Sequence, residues 1–162
     1  DPYYLTHISK KNGYEPKFLI SGRSINNHMP KYIVKSIEKL GIQKKISKNA
    51  NVLFLGLTFK ENVSDLRNAK SFEVIDALKK KYKNIEIYDP MVNENDLDKK
   101  YKSLFIRKKI FTLDKYSIVI FLVPHKSLLK NFSKKIYKYK NNNNIVVDIT
   151  LKLNSNYVDL EL

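Results

Sequence analysis

The sequence contains no cysteine, no tryptophan and only four glycines among its 162 residues. Without cysteine it can form no disulfide framework, no thiolate metal site and no cysteine nucleophile. Its three histidines, His7, His28 and His125, do not have the spacing of a metal site. No apolar run approaches the roughly 18 residues that a membrane-spanning helix needs. We therefore expect no metal and no membrane partner.

The chain opens with Asp1-Pro2-Tyr3-Tyr4 rather than with Met. This opening is neither basic nor apolar, so it does not have the pattern of a signal peptide. We therefore expect a cytoplasmic protein. An aromatic motif starts at the first residue, and this leads us to expect a piece cut from a longer chain.

Acidic residues are scarce: 16 Asp and Glu stand against 31 Lys and Arg, and the formal net charge is +15. Such an excess can indicate a polyanionic partner such as nucleic acid. However, only three of the basic residues are Arg, whose forked guanidinium suits the recognition of nucleic acids. The lysines are spread along the chain, as on solvated helix faces. We favour drift in composition over a specific nucleic-acid partner, although the positive field would favour any phosphate-bearing ligand.

Residues 1–46 have a helical pattern. A short helix is predicted over 2–10, and apolar residues three, four or seven positions apart from Phe18 to Leu40 predict a long helix over about 19–40. The period continues through Pro30, which favours one kinked helix, with two helices split at Pro30 as the alternative. Gly41 is expected to end it. We interpret 1–46 as a helical linker and dimerisation segment.

Residues 47–162 alternate between strand and helix patterns. A continuous apolar run over 52–57 predicts a strand buried on both faces. Further strands are predicted over 85–88, 118–123 and 145–147, which is the final one, and 104–106 is a weaker candidate. Helices are predicted over about 69–81, 94–101 and 125–139. Such alternation is typical of parallel pairing. The expected fold class is therefore α/β, a long linker helix followed by a Rossmann-like open parallel sheet.

The loop after the first strand carries two candidate ligand-binding cations, Lys60 and Arg67. An open parallel sheet binds ligands at the carboxyl ends of its strands, and a helix begins just beyond this loop. Lys60 and Arg67 are thus placed where a phosphate would meet a helix N-terminus. Alternatively, Arg67 and Asp65 simply pair with each other across the loop.

The same turn lacks the G-x-G-x-x-G pattern of a dinucleotide site, because Gly56 is followed by Leu57, Thr58 and Phe59. The domain should therefore not hold a dinucleotide pyrophosphate in the usual way. Asp89 ends the second strand where a ribose-binding acid can lie, but with Pro90 after it a turn former is favoured. His125 is interpreted as a helix-start or packing residue.

Several segments together resemble the UDP-glucose/GDP-mannose dehydrogenase family. They occur in the family's order and cover nearly the whole chain. The D-P-Y-Y opening is most similar to the branch that oxidises UDP-N-acetylhexosamines for surface polysaccharides. The matching segments are Asp1-Pro2-Tyr3-Tyr4-Leu5-Thr6, Gly22-Arg23-x-x-Asn26 with Met29-Pro30, Gly56-Leu57-Thr58-Phe59-Lys60-Glu61-Asn62, Asp65-Leu66-Arg67-Asn68 and Tyr88-Asp89-Pro90.

The resemblance implies oxidation of a sugar C6 alcohol to a carboxylate with two NAD in succession, through a thioester on a cysteine. Asp1 matches the last residue of the family's C-x-x-x-D motif, so the cysteine belongs before this chain and Asp1 supports its chemistry. Lys60 matches a lysine that contacts the UDP-sugar, and Phe59 lies beside the nucleotide. Arg67 matches an arginine that reaches NAD bound on an upstream domain.

The end of the chain departs from the family pattern. A basic residue usually follows two positions after the aspartate that ends the last strand, but Asp148 is followed by Ile149 and Thr150. Either Lys152 replaces that substrate contact or the contact is lost. The arginine often found near the C-terminus is also missing, with Glu161 in its neighbourhood.

The resemblance as a whole implies the UDP-sugar-binding part of a UDP-N-acetylhexosamine 6-dehydrogenase. We expect this part to be inactive alone and to form a homodimer through the long helix. The alternatives are a UDP-glucose 6-dehydrogenase, a non-catalytic nucleotide-sugar-binding or dimerisation module, and a basic nucleic-acid binder.

Overall fold

A computed structural model describes residues 2–107, 112–141 and 143–162 of the chain. They form an α/β fold in which helices pack on both faces of one parallel sheet. The elements in chain order are α1 (Pro2–Lys11), α2 (Lys17–Gln43), β1 (Asn51–Leu55), α3 (Ser71–Lys79), β2 (Asn84–Tyr88), a 3-10 turn (Glu94–Asp96), α4 (Lys99–Lys102), β3 (Ile118–Phe121), α5 (Lys126–Tyr139), β4 (Ile145–Asp148), a second 3-10 turn (Ser155–Tyr157) and β5 (Leu160–Glu161).

The five strands are all parallel and lie in the order β2-β1-β3-β4-β5. Strand β1 lies between β2 and β3, and its register places Val52 opposite Ile85 of β2 and Ile118 of β3. The chain therefore leaves β1 towards one edge of the sheet and returns on the other side of β1 to form β3. In open parallel sheets, the crevice beyond such a switch point is where ligands bind. The α/β fold with a Rossmann-like parallel sheet is confirmed.

Apolar side chains of each strand alternate between two cores, because successive residues of a strand point to opposite faces. Val52 and Phe54 face the core shared with α2 and α3, whereas Leu53 and Leu55 face the core shared with α5. These four side chains are all fully buried. The continuous apolar runs of the sequence thus reflect a sheet that is covered on both faces.

Helix α2 has two halves with different surroundings. In the second half, Ile33, Val34 and Ile37 are buried in the same core as α3 and the sheet. The first half, residues 17–29, contains no buried residue, and it leaves Phe18 and Ile25 largely exposed. In the described parts of the chain, no helix, α2 included, is long and apolar enough to cross a membrane.

The prediction of a single helix through Pro30 is confirmed, but the expected end at Gly41 is wrong. The helix continues to Gln43 and ends where Lys45 adopts a left-handed conformation, with φ of 53°. The Lys45 N–H then bonds to the Ile42 carbonyl and the Ile46 N–H to the Gly41 carbonyl, a Schellman arrangement. Gly41 instead gives room for Tyr82, whose hydroxyl lies 2.6 Å from where a Cβ would be.

Three other predicted elements need correction. Residues 104–106 form a single bridge, between Phe105 and Ile87, because the preceding helical turn still holds the amides of Leu104 and Phe105. The helix predicted over 94–101 is divided into a 3-10 turn and α4, since Leu97 is extended. The strand over 145–147 is not the last one, because β5 pairs beside it through Leu160 and Glu161.

Position 56, directly after β1, requires a glycine. Its φ of +88° lies in the region that favours glycine. A Cβ there would lie 2.6–2.7 Å from the Cβ, N and O atoms of Val123, which follows β3. The close approach of the two chain segments at the switch point therefore depends on the missing side chain.

We predict that Gly56→Ala lowers the free energy of unfolding by about 2–5 kcal/mol, from backbone strain and the clash with Val123. Denaturant unfolding of the 162-residue chain measures this. Gly22→Ala is the matched control, because Gly22 lies in α2 with open space around it. It should raise the free energy of unfolding by roughly 0.5–1 kcal/mol. Equal effects of the two substitutions would contradict the close packing at Gly56.

Candidate functional site

A cavity of about 260 Å³ opens at the carboxyl ends of β1, β3 and β4, under the middle of α2. This is the edge at which the topology predicts ligand binding. The lining is mostly apolar, and its polar residues are Asn26, Thr58, Lys70 and Ser71. Its other residues include Phe59 after β1, Leu122 and Val123 after β3, Ile149 after β4, and Met29, Pro30 and Ile33 of α2.

The carboxylate of Asp89, the residue after β2, connects the chain segments at this edge of the sheet. Its Oδ2 accepts hydrogen bonds from the amides of Leu57 at 2.6 Å and Thr58 at 3.2 Å, and it lies 3.0 Å from Nε2 of His125. Its Oδ1 accepts from the amide of Met91 at 2.7 Å. Burial raises the pKa of Asp89, but these hydrogen bonds outweigh burial and leave the pKa below its ordinary value. The interpretation of Asp89 as a turn former is therefore confirmed, and the side chain also joins three strand ends.

His125, fully buried directly before α5, has the packing and helix-start position that the sequence predicts. Its Nε2 lies 3.1 Å from Oγ1 of Thr58 as well as beside Asp89. Its Nδ1 accepts a hydrogen bond of 2.8 Å from the amide of Asn62. The end of β3 is thereby connected to the loop that follows β1.

Lys60 lies in the loop between β1 and α3, residues 58–68, which we call the Lys60 loop. The hydroxyl of Thr58 donates to the Lys60 carbonyl at 3.0 Å, and the amide of Phe59 donates to the Asp65 carbonyl at 2.7 Å. These bonds shape the backbone on both sides of Lys60. The side chains of Phe59 and Lys60 are exposed, and no carboxylate of the described residues forms an ion pair with Lys60. Phe59 lines the cavity, while Lys60 lies beside it in the chain.

Arg67 and Asp65, in the same loop, pair with each other, as one interpretation of the sequence predicted. The Arg67 guanidinium bonds Oδ1 of Asp65 through Nε at 3.0 Å and Oδ2 through Nη2 at 2.8 Å. The hydrogen bond from this side chain lowers the pKa of Asp65 to about 2. The Arg67 side chain remains 87% exposed, so it is still accessible from solvent.

Lys152 lies beyond β4 at the same edge of the sheet. The Asp148 carboxylate at the end of β4 is fully buried and accepts hydrogen bonds from the amides of Thr150, Lys152 and Leu153. These bonds fix the backbone of Lys152 and leave its side chain exposed. Because β3 separates β1 from β4, the ends of those two strands lie about 10 Å apart. The structure thus brings Lys60 and Lys152 to one edge, on either side of β3.

The turn after β1 does not fit the pyrophosphate of a dinucleotide. In a dinucleotide fold the amides of this turn face the phosphates. Here the amides of Leu57 and Thr58 are used by Asp89, and Gly56 is packed against Val123. Arg67 is the cofactor-binding candidate that the described residues contain, and Asp1, the catalytic candidate, lies outside them.

Sequence reasoning did not single out Lys126 and Asn62. Lys126 is exposed as the first residue of α5, directly beyond β3. Its place after a buried strand at the centre of the sheet could have indicated it. Asn62 binds His125 and the amide of Lys126, residues more than 60 positions away. No local pattern in the sequence signals such a pair.

Comparison with known proteins agrees with this geometry. Residues 53–154 match the family model described as "UDP-glucose/GDP-mannose dehydrogenase family, UDP binding domain". That range contains three of the five strands, most of β1 and the whole Lys60 loop. The match therefore covers the cavity edge as well as the fold.

Among curated proteins, "Protein CapL" of Staphylococcus aureus is 36% identical over 99% of this chain, and "UDP-N-acetyl-D-glucosamine 6-dehydrogenase" of Salmonella typhi is 31% identical over 100% of it. The chain spans 37% and 38% of their lengths, respectively.

Two solved structures are also similar. UDP-N-acetyl-mannosamine dehydrogenase Cap5O of S. aureus has a TM-score of 0.66 at 25% identity and matches 99% of this chain and 35% of its own. GDP-mannose dehydrogenase of Pseudomonas aeruginosa shares the fold, with a TM-score of 0.77 at 16% identity, over 99% of this chain and 37% of its own. With a family model matched across the sheet and relatives above 30% identity, the chain belongs to the UDP-glucose/GDP-mannose dehydrogenase family and carries its UDP binding domain.

Proposed function

We propose that the chain binds the UDP part of a UDP-N-acetylhexosamine, within an NAD-dependent enzyme that oxidises the sugar C6 alcohol to a carboxylate. The observation that carries this proposal is the Lys60 cation, which has no ion-pair partner among the described residues and is held by a structured loop at the switch point of the sheet. The names of two relatives with 31% identity, a UDP-N-acetyl-D-glucosamine 6-dehydrogenase and a UDP-N-acetyl-D-mannosamine dehydrogenase, support an N-acetylhexosamine over glucose as the sugar. We further propose that the enzyme is cytoplasmic, since a cysteine nucleophile must stay reduced and the cytoplasm keeps thiols reduced.

In this proposal Lys60 binds the diphosphate. Its ammonium is a compact charge with three donors, which can meet a phosphate without a fixed angle. The exposed ring of Phe59 lies beside the cavity and is suited to pack against a planar base. Lys152, in the loop after β4 on the other side of β3, would bind a second part of the same ligand.

The redox chemistry is proposed to depend on residues beyond these 162. NAD, when bound, accepts the hydride from the sugar, and most of its binding site belongs to another domain. Arg67 would reach that NAD from the Lys60 loop, since its side chain is 87% exposed and Asp65 takes only its Nε and Nη2 donors. Asp1 is proposed as a catalytic group that supports a cysteine outside the chain.

We propose residues 1–46 as a linker that also forms a homodimer, and residues 47–162 as the UDP-sugar domain. Phe18, Ile25 and Tyr32 are seven residues apart in α2, so they form one stripe on the helix surface. Their exposed fractions are 89%, 66% and 54%. A stripe of this kind suits an isologous contact with a second copy, the commonest form of oligomer.

The first prediction for this function concerns Lys60→Ala. A charge-assisted hydrogen bond contributes roughly 1.5–3 kcal/mol, so UDP affinity should fall by about tenfold to a hundredfold. The fold should persist, because the exposed side chain contributes little packing. Calorimetric titration of UDP into the chain measures the change.

Lys79→Ala is the control for this substitution. Lys79 is exposed at the last turn of α3, away from the carboxyl ends of the strands. UDP affinity should be unchanged. Equal, small effects of both substitutions would mean that Lys60 is only a solvated surface charge.

The second prediction concerns the dimer. Ile25→Asp places a charge on the stripe of each copy, and the dissociation constant of the dimer should rise at least tenfold in analytical ultracentrifugation. Ile42→Asp is the control, because Ile42 is 79% exposed in the same helix but lies off the stripe. A wild-type chain that stays monomeric at high concentration would contradict the proposal.

The third prediction is that the 162-residue chain alone forms no NADH from NAD and UDP-N-acetylglucosamine, UDP-N-acetylgalactosamine or UDP-glucose. It contains no cysteine to form a thioester and no G-x-G-x-x-G segment for NAD. Turnover above a no-enzyme blank would show that these residues catalyse the oxidation without a cysteine.

A further inference from the structure

Asn62 fastens the Lys60 loop to the corner between β3 and α5. Its backbone N–H donates to Nδ1 of His125 at 2.8 Å, and its side-chain Oδ1 accepts from the amide of Lys126 at 3.0 Å. The residue has a left-handed conformation, with φ of 59°, which Asn tolerates better than most residues. We call these two hydrogen bonds the Asn62 clamp.

The clamp fixes the state of the imidazole. A backbone N–H can only donate, so Nδ1 of His125 must accept and carries no proton. The ring proton is therefore on Nε2, which lies 3.0 Å from Oδ2 of Asp89. Oγ1 of Thr58, also beside Nε2, uses its own proton on the Lys60 carbonyl, so it too can only accept. His125 is thus neutral, with one defined tautomer.

Lys60 lies between two fixed points of the backbone. On one side, the Thr58 amide is held by Asp89, and on the other, Asn62 is held by the clamp. The Lys60 ammonium itself is exposed and unpaired within the described residues. The side chain is therefore presented from an ordered backbone although it has no protein partner of its own.

We propose that Asn62 and His125 are positioning residues that hold the Lys60 loop ready for the phosphate of a nucleoside diphosphate. This inference rests on the proposed function, since it takes Lys60 as the phosphate-binding group. Ordering one backbone residue on binding costs about as much free energy as a tenfold change in affinity. Loss of the clamp should therefore weaken UDP binding about tenfold, although neither residue contacts UDP.

The first experiment compares Asn62→Gly with Asn68→Gly by UDP calorimetry on the 162-residue chain. Glycine retains the left-handed backbone and the N–H but removes the Oδ1 acceptor. Asn68 is a matched control in the same loop, with a similar φ of 57°. Asn62→Gly should weaken UDP binding about tenfold, whereas Asn68→Gly should leave it unchanged. Equal losses, or no loss at Asn62, would overturn the proposal.

The second experiment compares His125→Asn with His125→Gln, in order to separate an effect on positioning from an effect on stability. In the Asn variant, the side-chain oxygen lies near the position of the histidine Nδ1 and can still accept from the Asn62 amide. In the Gln variant, the amide lies near the position of the histidine Nε2, so that acceptor is lost. His125→Asn should be the less stable variant, because it loses the donor to the buried Asp89 carboxylate. It should nevertheless bind UDP more tightly than His125→Gln. If the less stable variant also binds UDP more weakly, His125 has only a structural role.

The outcomes also distinguish this inference from the proposed function. Failure of the wild-type chain to bind UDP would overturn both. If the wild type binds and Lys60→Ala weakens binding but Asn62→Gly does not, only the inference is wrong. The imidazole ¹⁵N signals of His125 give a check without ligand: protonation at Nδ1 in the free chain would contradict the clamp.

Discussion

The buried carboxylate of Asp89 is the interaction on which the ligand-binding edge depends. It accepts hydrogen bonds from the backbone after β1 and after β2, and from His125 after β3. A carboxylate in this position costs free energy unless its lone pairs are satisfied, and here four donors surround it. Because these donors come from three neighbouring strands, the carboxylate fixes the relative positions of the strand ends. Gly56 permits the same approach by leaving room for Val123.

This constraint also explains which ligand the edge suits. The amides that would face a dinucleotide pyrophosphate are already used by Asp89, so the turn itself offers no anion site. Side-chain cations remain accessible at this edge, among them Lys60 and Lys152, which lie on loops whose backbone amides bond to buried aspartates. An edge of this kind is suited to a flexible diphosphate bound by ammonium groups. The fold keeps the parallel architecture of dinucleotide-binding domains and presents different chemistry at the same place.

Much of the fold could be predicted from the sequence, because buried parallel strands are continuous apolar runs and the loops between them are polar. The predictions were wrong where a tertiary contact, rather than the local sequence, determined the conformation. Lys45 ends α2 in a conformation usual for glycine, while Gly41 serves packing against Tyr82. Strand β5 is only two residues long, and the amide of Val146 holds the Asp159 carboxylate just before it. Within the proposed site, the position of Lys60 after a strand could be predicted, but the contacts of Asn62 could not, because its partners are distant in sequence.

We propose that UDP binds at the carboxyl edge of β1, β3 and β4. The most direct measurement is an NMR titration of the ¹⁵N-labelled 162-residue chain with UDP, following the backbone amides. We expect the largest shifts in three groups, residues 56–62, 122–126 and 149–152, with smaller ones on the facing side of α2. Shifts concentrated on the amino edge of the sheet or on the outer surface of α5 would contradict it.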